Sequence, residues 1–329
     1  MADSIQNETR NLPKPIPERI REAREARGFS LDGFAEALEV TKQGVARYES
    51  GLASPSGEVM GKIIATTAQP PAFFVTHRTR ATGITPFWRG LKRMDLHHRK
   101  RIARRLEWAR DVVSHLEQFI ELPPVSLPVV EFDLKSDDFD QVEHAADKVR
   151  EHWGLGRGPV RDLSAIMELH GIILIRESVA CADMDAVSCW QSGRPYVLYS
   201  ADVASGPRNT FNLAHELAHT VLHSSVEVTA DNLAKIEKQA NRFASAFLLP
   251  QESFAREVLG TSLKHFLFLK EKWGVAIAAM AYRCKDLNIL SDNQFSYLMR
   301  QMNALKIRKH EWLDEKFWVP APSVLGESI

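Results

Sequence analysis

The chain has 329 residues, of which 44% are apolar and 26% are charged, and its 42 basic and 42 acidic side chains give no net charge. A chain of this length should hold two or more domains, and its apolar content is enough for a sizeable core. No apolar run approaches the length of a membrane span and the first twenty residues contain no apolar signal core, so neither a membrane protein nor a secreted one is expected.

The cysteines also indicate in which cellular compartment the protein is found. Cys181, Cys189 and Cys284 lack the close spacing that is typical of a metal or redox pair. We interpret them as reduced thiols and expect a cytoplasmic protein.

The first part of the chain is predicted to be a small helical domain. Residues 1–16 are polar and interrupted by prolines, and we expect a flexible tail there. Residues 17–75 show apolar residues at helical spacing, with Thr41 as the N-cap of one short helix and Gly51 as its C-cap. Two short helices joined by a three-residue turn favour a helix-turn-helix.

A resemblance supports this prediction. Residues 28–56 read GFSLDGFAEALEVTKQGVARYESGLASPS and resemble the phage-repressor (XRE) type of helix-turn-helix domain, whose ending Y-E-x-G-x-x-x-P-S they keep. In such domains the first residues of the second motif helix contact base edges. The resemblance therefore implies Lys42, Gln43 and Arg47 as DNA contacts.

Two interpretations of this domain stay open. Residues 1–75 carry nine basic and ten acidic side chains, whereas tight DNA binding usually neutralises several phosphates. Gly44 also lies inside the proposed recognition helix, where glycine costs about 1 kcal/mol relative to alanine. The alternative to DNA binding is a helical bundle used for dimerisation, which would make a homodimer, or for binding another protein.

Positive charge is concentrated in the next segment, 76–121, which we expect to form a basic amphipathic linker helix. Residues 76–110 hold eleven basic and two acidic side chains, and apolar residues recur at helical spacing from Leu96 to Ile120. One interpretation is a clamp on the DNA backbone. The other is a solvated helix face that docks on residues 111–147, which have ten acidic side chains and one lysine. The basic residues proposed as phosphate contacts are Arg99, Lys100, Arg101, Arg104 and Arg105, and those nearer the start of the segment are Arg89, Lys92 and Arg93.

A proline-rich and acidic linker, 122–140, is expected to separate this half from a second domain at 141–255. That domain should begin with two helices, 141–153 and 160–170. Three short strands follow, and they predict a small antiparallel sheet: 172–175, 187–190 and 196–199. An edge strand of such a sheet could capture an extended peptide by β-addition.

The stretch FNLAHELAHTVLH, residues 211–223, contains an H-E-x-x-H pattern. On a helix, His215 and His219 lie one turn apart on the same face and can bind one Zn²⁺. Glu216 can then act as general base on a metal-bound water. His223, one further turn along, suits a supporting role better than ligation. The alternative is an ordinary helix that happens to carry two histidines.

The next predicted helix, DNLAKIEKQANRFASAFLL at 231–249, places Glu237 on its apolar face. A buried carboxylate needs a partner. Two histidines and one glutamate, with a fourth position left for water, form a catalytic zinc set. We therefore predict one Zn²⁺ per chain held by His215, His219 and Glu237. A salt bridge from Glu237 to a basic side chain is the alternative.

The two helices together resemble the ImmA/IrrE family of metallopeptidases. The matching residues are RNTFNLAHELAHTVLH (208–223) and EKQANRFASAFLLP (237–250), and the D-A-x-S segment of the family is matched at 185–188. The resemblance covers about residues 140–285 and implies a zincin-like fold with His215, His219 and Glu237 as ligands and Glu216 as the catalytic residue. Arg208 matches a basic position before the metal helix, where we expect a salt bridge that fixes the helix.

The predicted architecture is α+β and mostly α: a helix-turn-helix bundle, a zincin-like domain with a small sheet, and a helical C-terminal extension and tail at 256–329. The predicted function is a zinc-dependent endopeptidase with a DNA-binding module. The resemblance implies a repressor or regulatory protein as substrate, in a stress, phage or defence response. The alternative is a transcription regulator or antitoxin whose peptidase-like domain senses metal or binds a partner without turnover.

Overall fold

The structure, a computed structural model, describes residues 13–77, 95–134, 138–178, 184–308, 310–318 and 321–326. The basic residues Arg89, Lys92 and Arg93 and the tail residues 1–12 lie outside these ranges. The chain divides into two compact units. The N-terminal unit contains the described residues up to 77 and residues 95–108, and the larger unit contains the described residues from 109 onward.

The N-terminal unit is helical, as the sequence predicts. Ser30 and Thr41 cap two of its helices in the same way, since each side-chain oxygen accepts a hydrogen bond from the backbone N–H of a glycine three residues on. Apolar side chains from all five helices before residue 78 form one core, which includes Ile20, Phe34, Val45, Ile63 and Phe74. The helices are α1 (Pro17–Ala26), α2 (Leu31–Leu38), α3 (Lys42–Glu49), α4 (Gly57–Thr67), α5 (Pro71–Val75) and the first part of α6 (Leu96–Leu116).

A buried ion pair ties α1 to α3. The guanidinium of Arg24 donates two hydrogen bonds to the carboxylate of Glu49, at 2.5 and 2.9 Å, and both side chains are about 5% exposed. Arg24 also donates to the carbonyl of Phe29 at 2.8 Å. Because removing one partner of a buried pair leaves an uncompensated charge, this contact fixes the position of α3 within the bundle.

The basic segment is helical from Leu96 but ends at Leu116, before the predicted Ile120. Its N-terminal half packs on α1, where Glu25 lies 3.2 Å from Lys100 Nζ and 2.9 Å from Arg104 Nε. Burial raises the pKa of Glu25, but the hydrogen bonds and charges of Arg104 and Lys100 outweigh it and lower that pKa. Trp108 Nε1 donates to Glu22 at 2.7 Å. This half of α6 therefore docks on acidic residues of α1, which is a different partner from the acidic stretch 111–147 suggested by the sequence.

The larger unit contains a three-stranded sheet and the remaining helices. Its strands are β1 (Ile173–Glu177), β2 (Ala186–Gln191) and β3 (Arg194–Ser200). The helices that precede the sheet are α7 (Asp140–His152) and α8 (Leu163–Leu169). Those that follow it are α9 (Gly206–Leu222), α10 (Leu233–Leu248), α11 (Gln251–Glu257), α12 (Leu263–Trp273), α13 (Ile277–Asp286), α14 (Asp292–Ala304) and α15 (Ser323–Gly326).

The sheet is mixed, and this differs from the antiparallel sheet that we expected. Its order is β1-β3-β2, with β2 antiparallel to β3 and β1 parallel to it. Each strand runs opposite to the one before it in the chain, so β1 and β3 run in the same direction. Because β3 lies between β1 and β2 in the sheet, β1 pairs with β3 in parallel. β2 and β3 are joined by Ser192 and Gly193, which both have positive φ (49° and 78°), as a type I′ hairpin turn requires.

The core of the larger unit lies between the sheet and α7, α9 and α10. Small residues occur where α9 and α10 face each other, and all are buried: Ala214, Ala218, Ala240 and Ala244. Because these side chains are short, the two helix axes can approach closely. Larger side chains, among them Phe243, Phe247 and Trp273, fill the rest of this core.

A C-terminal segment, Glu311–Phe317, is built into this unit. Lys270 is fully buried and its Nζ lies 2.8 Å from Glu311 Oε2 and 2.6 Å from Asp314 Oδ1. Glu311 also accepts hydrogen bonds from the first two N–H groups of α13, at 2.7 and 3.1 Å. A Cβ on Gly206, at the start of α9, would lie 2.1 Å from the carbonyl oxygen of Phe317, so only glycine permits this contact.

Within the described residues, no helix combines the length and the apolar character that crossing a bilayer demands.

Candidate metal centre

Two histidines of α9 converge at one point. His215 and His219 lie one turn apart, and their Nε2 atoms are 3.0 Å from each other. A group of ligand-type atoms within 4.8 Å of one another comprises one ring nitrogen each of His215 and His219 and a carboxylate oxygen of Glu216. The predicted convergence of the two imidazoles is therefore present in the folded chain.

Glu237 reaches the same place from α10. Its Oε2 lies 3.3 Å from His215 Nε2, so it adjoins the close group through that histidine. In a tetrahedral site with Zn–N distances of about 2.0–2.1 Å, neighbouring ligand atoms are about 3.3 Å apart. The measured separations of 3.0 and 3.3 Å fit such a site. Glu237 is 39% exposed at its side chain and His215 is 17% exposed, so the donors meet near the surface.

Hydrogen bonds behind the rings set their tautomers. Asn241 Oδ1, which can only accept, lies 3.1 Å from His215 Nδ1, so that nitrogen carries the proton. His223 Nε2 faces Gln239 Oε1 at 3.3 Å, which leaves His223 Nδ1 as an acceptor. His219 Nδ1, at 2.9 Å from it, then donates. With both rings in this tautomer, the two Nε2 atoms, 3.0 Å apart, are the nitrogens available to bind one cation.

His223 is fully buried and lies on the Nδ1 side of the His219 ring, away from the Nε2 atom that faces His215. Its ring packs edge-on against Phe132, with the ring centroids 5.7 Å apart. This position agrees with the supporting role expected for it, since its imidazole contacts the far side of the His219 ring. Asn241 and Gln239, by contrast, were not assigned roles from the sequence. Both lie on α10 within four residues of Glu237, and this closeness in sequence to a predicted ligand is the signal that could have identified them.

Glu216 is held from the sheet. Its side chain is buried, and its Oε2 accepts a hydrogen bond of 2.6 Å from the hydroxyl of Ser188 on β2. The sequence placed Ser188 in a matching family segment but gave it no role. This contact orients the carboxylate beside the histidines, where a general base must lie within hydrogen-bond reach of the proton it takes.

The charge around the site affects His215. Burial lowers its pKa, but the hydrogen bond to Glu237 and the charges of Glu216 and Glu237 outweigh this and raise the pKa above its usual value. The two carboxylates therefore give the site a negative electrostatic potential, and this potential favours a bound cation.

Arg208 fixes the start of α9. Its guanidinium donates to Asp185 Oδ2 at 2.7 Å, just before β2. This is the salt bridge expected at that position. It joins the helix that carries the histidines to the strand that carries Ser188.

In the N-terminal unit, α3 exposes the three residues predicted to contact DNA. Gln43 and Arg47 are exposed, and so is Lys42, whose Nζ lies 2.7 Å from Asp32 Oδ2. Gly44 occupies the third position of α3, in the first turn. A Cβ there would lie 3.3 Å from Thr41 Oγ1, a tight contact, so the N-cap gives glycine a reason to be present.

The basic residues of α6 are less available than the sequence suggested. Lys100 and Arg104 pair with Glu25, and Arg105 Nε donates to the carbonyl of Ala26 at 3.3 Å. The side chains of Arg99 and Arg101 are half-buried and also take part in interactions. These contacts favour docking on α1 over a free phosphate-binding face.

Comparison with known families agrees with both resemblances. Residues 167–285 match the Peptidase_M78 family, described as an IrrE N-terminal-like domain, and residues 20–74 match a helix-turn-helix family. The first range contains His215, Glu216, His219 and Glu237, and the second contains α3. The chain therefore carries an IrrE-like peptidase domain behind a helix-turn-helix domain, and the mostly helical fold class is confirmed.

A search of the curated proteins finds no match. Among solved structures, a Mycobacterium tuberculosis transcriptional regulator is similar at 16% identity and a TM-score of 0.32. The alignment covers 44% of this chain and 46% of that regulator. A likeness of this degree carries no inference about function.

Proposed function

We propose that this chain, with its IrrE N-terminal-like domain behind a helix-turn-helix, is a zinc-dependent endopeptidase with a DNA-binding module. The observation that supports it most is the pair of Nε2 atoms 3.0 Å apart, with Glu237 beside His215 and a separate carboxylate, Glu216, held by Ser188. Three donors and one independent base are the parts that metal-assisted peptide hydrolysis requires.

The division of labour follows from these contacts. His215, His219 and Glu237 would hold one zinc ion, which when bound lowers the pKa of a water molecule and polarises the scissile carbonyl. Glu216 takes a proton from the attacking water and later delivers it to the leaving amine. Ser188 keeps the Glu216 carboxylate in position, and Asn241 and His223 keep the two imidazoles in the tautomer that can bind metal.

We propose a repressor or another regulatory protein as the substrate, cleaved in a stress, phage or defence response in the cytoplasm. Support comes from the combination of modules, because a peptidase that shares a chain with a helix-turn-helix is brought to DNA-bound proteins. A linked module raises the effective concentration of such a partner.

Metal analysis tests the donor assignment. We expect the purified wild-type protein to contain one zinc per chain by elemental mass spectrometry. Glu237→Ala and His219→Ala should each lower the occupancy at least tenfold at a fixed free zinc concentration, because each removes one of three protein ligands. Glu252→Ala, at an exposed position of α11, is the matched control and should keep full occupancy. Full occupancy in both ligand variants would contradict the proposed site.

We further propose that α3 is the helix that contacts DNA. Gln43 and Arg47 are exposed there, and both fall in the range that matches the helix-turn-helix family. Within the described residues Arg47 has no ion-pair partner, whereas Lys42 is paired with Asp32. Arg47, through its charge, and Gln43 are therefore the better candidates for DNA contacts, and the basic side chains of α6 are the weaker ones.

Salt titrations separate these two surfaces. We expect Arg47→Ala to weaken binding to a random-sequence duplex several-fold and to reduce the slope of log affinity against log salt by about 1. Lys100→Ala should change the slope much less, because Glu25 already neutralises that side chain. An equal or larger effect of Lys100→Ala would favour the phosphate clamp on α6, and the absence of any DNA binding would favour the dimerisation bundle.

A further inference from the structure

A cavity of about 620 Å³ lies beside the candidate metal centre, between α9, α10, α13 and the C-terminal segment. Asn241 belongs to both sites, since it lines the cavity and its Oδ1 lies 3.1 Å from His215 Nδ1. Lys238, also in the lining, directly follows Glu237. The volume is in the range of about 300–1,000 Å³ that ligand pockets have, so it can take more than one residue of a peptide.

Most charges in the lining are already neutralised. Arg208 pairs with Asp185, and Arg242 pairs with Asp286 at 3.0 Å. Glu311 and Asp314 share Lys270, which leaves one negative charge at the C-terminal segment. Two cationic side chains remain, Lys238 and Arg308. Both are exposed, and neither has an ion-pair partner in the part of the chain that the structure describes. The cavity therefore offers two positive charges to a ligand.

The rest of the lining is mainly apolar. Phe139, Phe211 and Tyr282 contribute aromatic surface, with small side chains of α13 such as Ala279 between them. The lining also contains Asn212, whose Nδ2 atom is buried and has no hydrogen-bond partner among the described residues. A buried donor left unpaired costs about 1–3 kcal/mol, and a peptide carbonyl would satisfy it.

We propose that this cavity is a subsite that selects a large apolar side chain followed closely by acidic residues in the protein substrate. The inference rests on the proposed endopeptidase function and names its substrate class. The aromatic wall takes the apolar side chain, Asn212 donates to the peptide backbone, and Lys238 and Arg308 face the acidic residues. Asn241 lies between the cavity and His215, so the subsite adjoins the candidate metal centre.

Direct binding tests the subsite without turnover. The full-length Glu216→Gln protein is titrated by calorimetry with three capped peptides: acetyl-Ala-Leu-Phe-Glu-Glu-Ala-amide, its Gln-Gln counterpart, and a version with Ala in place of Phe. We expect the first peptide to bind about tenfold more tightly than the second, because two exposed ion pairs are lost. The third should bind at least tenfold more weakly, because the aromatic contact is lost.

Matched variants locate the effect. Lys238→Glu combined with Arg308→Glu should reverse the preference for the acidic peptide, whereas Arg300→Glu on the exposed face of α14 should leave it unchanged. Ala279→Trp should fill the cavity and abolish binding of all three peptides, and Ala304→Trp should not. Equal affinity for the Glu and Gln peptides, or an equal response to Arg300→Glu, would overturn the proposal.

Cleavage is measured separately, so that the two proposals can fail independently. Wild-type protein is incubated with the acidic peptide and with cell extract, and new termini are identified by mass spectrometry. Selective binding without any cleavage that depends on Glu216 would contradict the proposed endopeptidase function. Cleavage with no preference for acidic residues after a large apolar residue would support that function and contradict the proposed subsite.

Discussion

Glu216→Gln should abolish proteolysis and leave the metal content unchanged. Glutamine has the same size and its amide oxygen can still accept the hydrogen bond from Ser188, which is 2.6 Å in the wild type. It cannot take a proton from the attacking water. Loss of a general base at this step should lower the rate by about 10²–10⁴-fold. The measurement is the rate of appearance of new N-termini in cell extract, with zinc content determined on the same samples.

The zinc content of this variant also decides between two donor sets. The close group of ligand-type atoms contains Glu216, whereas Glu237 lies outside that group and contacts His215. If Glu216→Gln loses zinc and Glu237→Ala keeps it, the two carboxylates have exchanged roles. Glu252→Gln serves as the control for an exposed glutamate. If the protein is a regulator that only senses metal, Glu216→Gln should keep its transcriptional output. Cleavage by this variant at the wild-type rate would refute general-base catalysis by Glu216.

Glu143→Ala should be among the most destabilising substitutions in the larger unit. The carboxylate of Glu143 on α7 accepts from Arg283, which is fully buried on α13, with one contact at 2.8 Å. It also pairs with Arg242 on α10. Removing it leaves a buried guanidinium without its counter-charge, which typically costs about 3–5 kcal/mol. Denaturant unfolding, followed by the fluorescence of Trp153 and Trp273, measures this loss.

The control for this prediction lies on the same helix. Glu151 is exposed on α7, and Glu151→Ala should change the free energy of unfolding by less than about 0.5 kcal/mol. Glu143→Gln should fall between the two, because it removes the charge but keeps an acceptor for Arg283. A loss in Glu143→Ala no larger than that in Glu151→Ala would show that Arg283 finds another partner, such as water.

The histidine-bearing helix α9 and its partner α10 could be predicted because their signals are local. The observed bounds of α10 lie within two residues of the predicted helix at 231–249, and α9 contains all but the last residue of the stretch 211–223. Pro207 and Pro250 mark a start and an end in the sequence itself. The two histidines then follow from helical periodicity alone. The N-cap at Thr41 was predictable for the same reason.

The parts that could not be predicted depend on contacts between distant residues. Parallel pairing of β1 and β3 follows from which strand lies in the centre, and no local pattern encodes that. Ser188 and Glu216 are 28 residues apart, and only the packing of β2 against α9 brings them together. The docking of α6 on Glu25 likewise joins residues 79 positions apart at Arg104. Charge counts along the sequence could not choose between its two interpretations.

The close approach of Phe317 to Gly206 has a consequence for biosynthesis. The start of the histidine-bearing helix rests against backbone that leaves the ribosome only after α10 to α14 have been made. Until then Lys270 is without the two carboxylates that surround it in the finished fold. Because a buried ammonium ion without a counter-charge strongly opposes folding, a nascent chain should acquire a rigid metal centre only near the end of translation. The N-terminal unit, which is made first, can therefore complete its fold before the candidate metal centre becomes rigid.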